Sequence, residues 1–85
     1  MYEVYILLCA DGTLYTGIAR NAEWRLKIHN SGRGAKYTRS RLTVQLLYRE
    51  NQPDKSSALR REWEIKHLSR SEKLRLIETH NQPKG

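Results

Sequence analysis

Val4-Tyr5-Ile6-Leu7-Leu8-Cys9, then Ala10-Asp11-Gly12-Thr13, then Leu14-Tyr15-Thr16-Gly17-Ile18: two apolar runs meet across a turn, and this stretch decides the fold. Such runs around an Asp-Gly pair are the pattern of a β-hairpin. Two registers are open. A two-residue Asp11-Gly12 turn pairs Cys9 with Leu14 and sends Tyr5 and Tyr15 to opposite faces, because strand side chains alternate with period two. An odd loop, with Gly12 at positive φ before a bulge, shifts the pairing by one. Tyr5, Leu7, Cys9, Tyr15 and Gly17 then share one face, and Ile6, Leu8, Leu14, Thr16 and Ile18 the other. The odd loop sorts the apolar residues better and is the register expected.

Downstream of the hairpin, Asn21 has the character of a helix N-cap. The helix it starts is expected to turn Trp24, Ile28 and Ala22 inward, with Arg25 and His29 four apart on a neighbouring stripe. Gly32 and Gly34 end it. Lys36 to Arg41 reads as a polar loop rich in donors. From Leu42, the run Thr43-Val44-Gln45-Leu46-Leu47-Tyr48 reads as a third strand, bounded by the turn-like Asn51-Gln52-Pro53-Asp54. A second helix is expected from Asp54 or Ser56 to about Leu68, burying Ala58, Leu59, Trp63, Ile65 and Leu68. Glu62 falls inside that arc and Glu64 outside it. Ser69 and Glu72 have capping-box spacing for a third, short helix with Leu74, Leu76 and Ile77 as its apolar contacts. Residues 1–78 then form a single domain, and 79–85 a polar tail, containing Pro83, expected to fray.

Eighty-five residues suffice for one domain with one modest core. The single cysteine, Cys9, excludes an intrachain disulfide scaffold and a cysteine-only zinc site, and fits a reducing cytoplasm. No apolar run approaches the roughly 20 residues needed to cross a bilayer, and no export signal is visible, so a cytoplasmic protein without membrane attachment is expected. The formal charge is +7. Arg20, Arg25, Lys27, Arg33, Lys36, Arg39, Arg41 and Arg49 face a single acid, Glu23, within that third of the chain, while the remainder balances at eight basic and eight acidic residues. An excess confined to one third of a small domain points to one electropositive face and a polyanionic partner. The plainer alternative is a basic, solubilising surface.

Glu62 is the most informative position, because a carboxylate on the buried side of a helix is costly unless paired, hydrogen-bonded or metal-bound. One reading is an ion pair with an arginine of the basic third, or a helix-edge acid reaching solvent. The other is a ligand to a hard divalent cation, held weakly by one carboxylate and more tightly once a phosphate is present. Arg25 could hold a phosphate oxygen and stabilise charge developing at phosphorus. His29 could hydrogen-bond the phosphate or move a proton, or simply meet the last carbonyls of its helix. Tyr5 and Tyr15 are ordinary strand residues by composition. As proton acceptors they need a positive field, which the basic third could supply. Cys9, Trp24 and Trp63 read as core.

Together, Val4-Tyr5-Ile6-Leu7, Tyr15-Thr16-Gly17, Arg25 with His29, and Glu62 in the second long helix resemble the GIY-YIG nuclease superfamily, in particular its small bacterial stand-alone members, over about residues 3 to 78. The resemblance implies an α/β fold of the α+β type, a three-stranded antiparallel sheet flanked by helices. It implies a metal-dependent endonuclease that hydrolyses nucleic-acid phosphodiesters with Mg²⁺ or Mn²⁺. The site would comprise Tyr15 activating the attacking water, Tyr5 helping to hold it, Arg25 on the scissile phosphate, His29 beside them and Glu62 on the metal. Arg33, Lys36, Arg39 and Arg41 would hold the nucleic-acid backbone, DNA ahead of RNA. A small monomer would nick one strand, and paired cuts would need a dimer or a larger assembly. The alternative is a non-catalytic nucleic-acid-binding module of the same fold in DNA repair or processing. The chain departs from the family at Tyr5-Ile6-Leu7, where glycine, isoleucine and tyrosine are usual, and at Ile18-Ala19, where many catalytic members carry lysine and threonine.

Overall fold

The computed structural model describes residues 1–81. Seven elements follow in order: β1 (Tyr2–Leu8), β2 (Leu14–Ala19), α1 (Ala22–Asn30), α2 (Lys36–Arg39), β3 (Gln45–Gln52), α3 (Lys55–Lys66) and α4 (Arg70–Asn81). The strands form an antiparallel sheet in the order β2-β1-β3, so β1, the most continuously apolar strand, lies in the middle. Leu7 pairs with Tyr15 and Tyr5 with Gly17, which is the odd-loop register. Cys9 N–H donates to the Thr13 carbonyl at 2.8 Å, and Gly12, at φ +85°, supplies the left-handed residue this turn requires.

Alternation along β1 divides the interior into two layers. Val4 and Ile6 pack with Tyr48, Ala58, Ile65 and Ile77 beneath α3 and α4. Tyr5 and Leu7 pack with Cys9, Ala19, Ala22 and Val44 beneath α1. A register shift between Ile6 and Leu7 lets β3 serve both layers: Tyr48 sits opposite Ile6, and Leu46 opposite Leu7.

Local capping explains the helix starts. The Asn21 side chain accepts from Trp24 N–H at 3.0 Å, and that of Asp54 from Ser57 N–H at 2.8 Å. Ser69 and Glu72 exchange reciprocal bonds at 2.9 and 3.2 Å, the expected capping box. Glu3, buried in β1, accepts from Ala22 N–H at 2.6 Å and from Arg49 Nε at 2.8 Å, and so fastens the start of α1 to the sheet. At the other end of α1, the Asn30 side chain both donates to the Val44 carbonyl and accepts from its N–H, at 3.0 and 2.8 Å.

Several expectations need correction. The segment 36–41 is not wholly loop, since Lys36–Arg39 makes a turn of helix. β3 begins later than expected, at Gln45, and runs on through Asn51-Gln52, because those residues pair with Glu3 and Tyr2. Trp24 and Trp63, expected in the core, are 60% and 62% exposed, and Leu59 and Leu74 are exposed as well. On α3 the fully buried Ala58 and Ile65 define the inward face, and at its margin Arg61 Nε meets Glu50 of β3 at 3.0 Å. Ala58, Arg61, Glu62 and Ile65 thus face the sheet and Trp63 faces out. On α1 the inward residues are Ala22, Leu26 and His29. α4 is as long as α3 and carries 79–81 of the expected tail, whose remaining residues, 82–85, lie outside the described residues. Among the described residues, no helix is long and apolar enough to cross a membrane.

Candidate functional site

The site is built on the α1 side of the sheet, where the register brings Tyr5 and Tyr15 to one face. Gly17 faces Tyr5 on β2, and a Cβ there would lie 2.6 Å from the Tyr5 hydroxyl, so the position must be bare for the phenol to lie flat across the strand. His29 comes down from the last turn of α1 and is fully buried. Its ring sits edge-on to both tyrosines, with centroids 6.1 Å from Tyr5 and 5.4 Å from Tyr15. Gly34 closes over it, and a Cβ at Gly34 would lie 2.2 Å from Nδ1.

Hydrogen-bond counting assigns the imidazole tautomer. The Thr38 hydroxyl donates its one proton to the Ala35 carbonyl at 2.9 Å, so toward His29 it can only accept. His29 Nδ1–H therefore donates to Thr38 Oγ at 2.8 Å, leaving Nε2 to accept from the Tyr5 O–H at 3.1 Å. Burial, reinforced by the Arg25 charge, holds His29 below the ordinary imidazole range and keeps the ring neutral. His29 thus bonds across the fold to Tyr5 and Thr38, not to the terminal carbonyls of its own helix. Thr38 had no signal in the sequence, because nothing in its spacing from His29 marks the pair.

Arg25 lies at the margin of the same layer, beside the Tyr5 phenol, and its Nε is buried without a hydrogen-bond partner among the described residues. Glu62 reaches the site from α3, and its charge acts on both phenols, as does that of Arg25. Glu62 is not paired with an arginine of the basic third. Its partner is Lys66 on its own helix, at a loose 3.5 Å. Tyr15 stacks on Tyr37, with centroids 5.9 Å apart, and its hydroxyl bonds no described residue. The positive field expected to lower the phenols does not prevail. Burial pushes both up; the Glu62 charge adds to this at Tyr15, and that of Tyr15 at Tyr5, outweighing Arg25.

The five core positions, Tyr5, Tyr15, Arg25, His29 and Glu62, thus share one neighbourhood. The four flanking cations do not behave alike. Arg33, Lys36 and Arg39 are exposed and meet no acid among the described residues. Arg41 is engaged, with Nε 2.9 Å from Asp11, a bond to the Tyr37 carbonyl at 2.8 Å, and its guanidinium 4.0 Å above the Tyr37 ring. Arg49 is likewise held by Glu3 and Glu23.

No group of three or more metal-ligating side chains occurs among the described residues, so any cation here would rest on Glu62. Its carboxylate fits that part. It accepts no hydrogen bond from a described residue and is 19% exposed, and a Mg²⁺-like ion commonly takes one carboxylate, several waters and a phosphate oxygen.

Known proteins resemble this chain in sequence and fold. A UPF0213 protein of Lactiplantibacillus plantarum is 52% identical over 82 residues, covering 94% of this chain and 81% of its own. One from Staphylococcus saprophyticus is 55% identical over 76 residues, covering 89% and 93%. Two solution NMR structures share the fold: the UPF0213 protein BH0048 from Bacillus halodurans (TM-score 0.62, 45% identity, 98% of this chain and 89% of that one) and the protein EF2693 from E. faecalis (TM-score 0.61, 34% identity, 99% and 91%). The model of the GIY-YIG catalytic domain matches residues 1–75, and with this sheet, helix order and motif placement the chain belongs to the GIY-YIG family, its relatives being UPF0213 proteins.

Proposed function

We propose that this domain binds the phosphodiester backbone of nucleic acid, DNA ahead of RNA, with one phosphate seated between Arg25 and Tyr15. The observation that carries the reading is the buried Arg25 Nε, without a partner among the described residues, beside two protonated phenols. A guanidinium N–H left without an acceptor is costly, and a charge-assisted bond to a phosphate oxygen would satisfy it. The raised phenol of Tyr15 stays protonated at neutral pH and can donate to a second oxygen, while Tyr5 is held in place by His29. Arg33, Lys36 and Arg39 would meet neighbouring phosphates, which gives affinity that falls with salt and carries little base readout.

A second reading, hydrolysis of that phosphodiester, is favoured by Glu62, whose carboxylate accepts no hydrogen bond among the described residues and acts on the same phenols as Arg25. Glu62 is the residue that would hold a Mg²⁺ or Mn²⁺ ion, which when bound would polarise water and neutralise phosphate charge. Lys66 would release the Glu62 carboxylate in that state. Arg25 would stabilise the charge that accumulates on the phosphoryl oxygens. Tyr15 would accept the water proton as phenolate, a form its burial disfavours, so turnover should climb as pH rises above neutrality.

Fluorescence anisotropy with labelled oligonucleotides at graded salt, together with nicking assays in Mg²⁺, Mn²⁺ or chelator, tests both readings. Arg25→Ala is expected to lose most of the affinity while its melt stays cooperative. Unchanged affinity would refute the phosphate seat. Metal-dependent product from wild type that vanishes in Glu62→Ala supports hydrolysis, and equal residual product from both proteins assigns it to contamination.

A further inference from the structure

Arg25 and Glu62 each lie at the edge of their helix's buried arc, and each has a tryptophan as its chain neighbour on the outward side. On α3, turning away from the core from Glu62, Lys66 comes at about 40°, Leu59 at about 60° and Trp63 at about 100°. Trp63 is 62% exposed, an unusual state for the largest apolar side chain. It is also held in position. His67 stacks on it at 4.0 Å between centroids and 28° between planes, and His67 Nδ1–H donates to the Trp63 carbonyl at 2.7 Å. One indole face is therefore backed by an imidazole that is itself tethered, while the other has no aromatic or cationic neighbour among the described residues. Around the helix Lys66 falls between this ring and Glu62, and its side chain is 51% exposed.

We infer that Trp63, backed by His67, is a stacking platform for an unpaired nucleobase next to the phosphate bound at the site, so the substrate class is a strand with unpaired bases and not continuous duplex. The inference rests on the phosphodiester-binding reading above. Two features select this occupant. The free cations of the domain make its partner a polyanion, and a pre-oriented aromatic ring beside a cation is the combination that holds single strands through base stacking plus phosphate contact. A base paired within a duplex stack presents no free face to the indole, whereas an unpaired one does.

The protein has two tryptophans, so Trp24→Phe leaves Trp63 as the only indole reporter. Titration of that variant with a labelled single-stranded oligonucleotide and with a duplex of equal length, following anisotropy and indole emission together, is the test. Quenching of Trp63 by the single strand is expected, with affinity above that for duplex. In the otherwise native protein, Trp63→Ala should weaken single-strand binding by about fivefold or more and leave duplex binding unchanged. Because the side chain is exposed, Trp63→Ala should fold as wild type does, and a thermal melt checks it; retention of the preference by Trp63→Tyr would support an aromatic requirement. Equal binding of both substrates, with silent emission and no effect of Trp63→Ala, overturns the platform but leaves the phosphate seat standing. Absence of binding to either substrate overturns both. If nucleic acid leaves Trp63 silent while Trp63→Ala abolishes self-association in sedimentation, the face is a protein contact and the inference fails.

Discussion

The two layers flanking β1 are solved by different physics. Beneath α3 and α4, Val4 and Ile6 of the sheet meet Ile65 of α3, and their contribution is removal of apolar surface from water. Beneath α1, one strand position away, Tyr5, His29 and Thr38 are just as buried, but they are joined by directional bonds that fix a tautomer and two ring orientations. The first layer tolerates a change of shape at an energetic cost; the second loses a specific geometry. The same strand can serve both because alternation keeps the two chemistries on opposite faces. Both layers hold a buried apolar cluster, but the buried His29–Tyr5–Thr38 hydrogen bonds lie only on the side where the phosphate would bind.

The largest effect should come from the aliphatic layer. Ile65→Ala removes a fully buried side chain that is packed between α3 and the sheet. A loss of about 2–5 kcal/mol is expected from the missing apolar contacts plus the cavity, measured as a shifted urea midpoint with an unchanged m-value. Under conditions where the variant remains folded, its affinity for nucleic acid should match wild type. A large loss of affinity with little loss of stability would break the division between the layers.

Gly34→Ala probes the polar layer. The added methyl would collide with the imidazole, and the overpacking should cost about 1–3 kcal/mol. Unlike Ile65→Ala, it should also disturb the site, seen as loss of the His29 Nδ1–H signal by NMR. The pH dependence of stability reports the same residue. His29 is lowered in the folded state, so the unfolded chain binds the extra proton as pH falls below about 6.5. The stability it contributes is therefore complete above that value and is lost progressively as pH drops toward the folded-state value. Comparing wild type with His29→Gln at about pH 7.5 and 5.5 should show a smaller decline for the variant. Equal declines would mean that the imidazole titrates freely.

A gain is expected at Thr16. Its hydroxyl lies on the aliphatic side, opposite Ile6, buried and with no hydrogen-bond partner among the described residues. Thr38 carries the same group on the other side with both its bonds made. Thr16→Val should therefore raise stability by roughly 0.5–1 kcal/mol, whereas Thr38→Val should lower it because it strands His29 Nδ1–H. A thermal melt of each variant gives the two signs. The same sign for both would show that the hydroxyls have similar environments.

Local signals made much of this legible in advance. The hairpin register follows from sorting apolar residues onto two faces, and the helix starts follow from Asn21, Asp54 and the Ser69–Glu72 pair, whose bonds span only a few residues. The rotation of α3 was not legible. Burial of Leu59 and Trp63 is what the apolar pattern alone suggests, but Ala58 and Ile65 take the buried face, with Arg61 paired to Glu50 of β3 beside them, and the tryptophan is left outward. The site was legible as a set of residue types and illegible as a network. His29 and Thr38 meet only because Gly34 lets the chain pass against the ring, a contact with no periodicity to betray it.

The smallest effect separates two arginines that look alike in the sequence. Arg41 ties the hairpin turn to α2 through Asp11, the Tyr37 carbonyl and the Tyr37 ring, while Arg33 stands in solvent without an acid partner among the described residues. An exposed ion pair is worth little, so Arg41→Ala should cost no more than about 1 kcal/mol, with Tyr37 losing its cover above Tyr15. Arg33→Ala should leave the melt within about 0.5 kcal/mol of wild type. If Arg33 contacts one phosphate, its removal releases about one fewer counterion, and the slope of log affinity against log salt should flatten by roughly 0.7–0.9. Arg33 would then act only on the bound state and Arg41 chiefly on the free one. An unchanged salt slope for Arg33→Ala would place the nucleic acid on another part of the basic face.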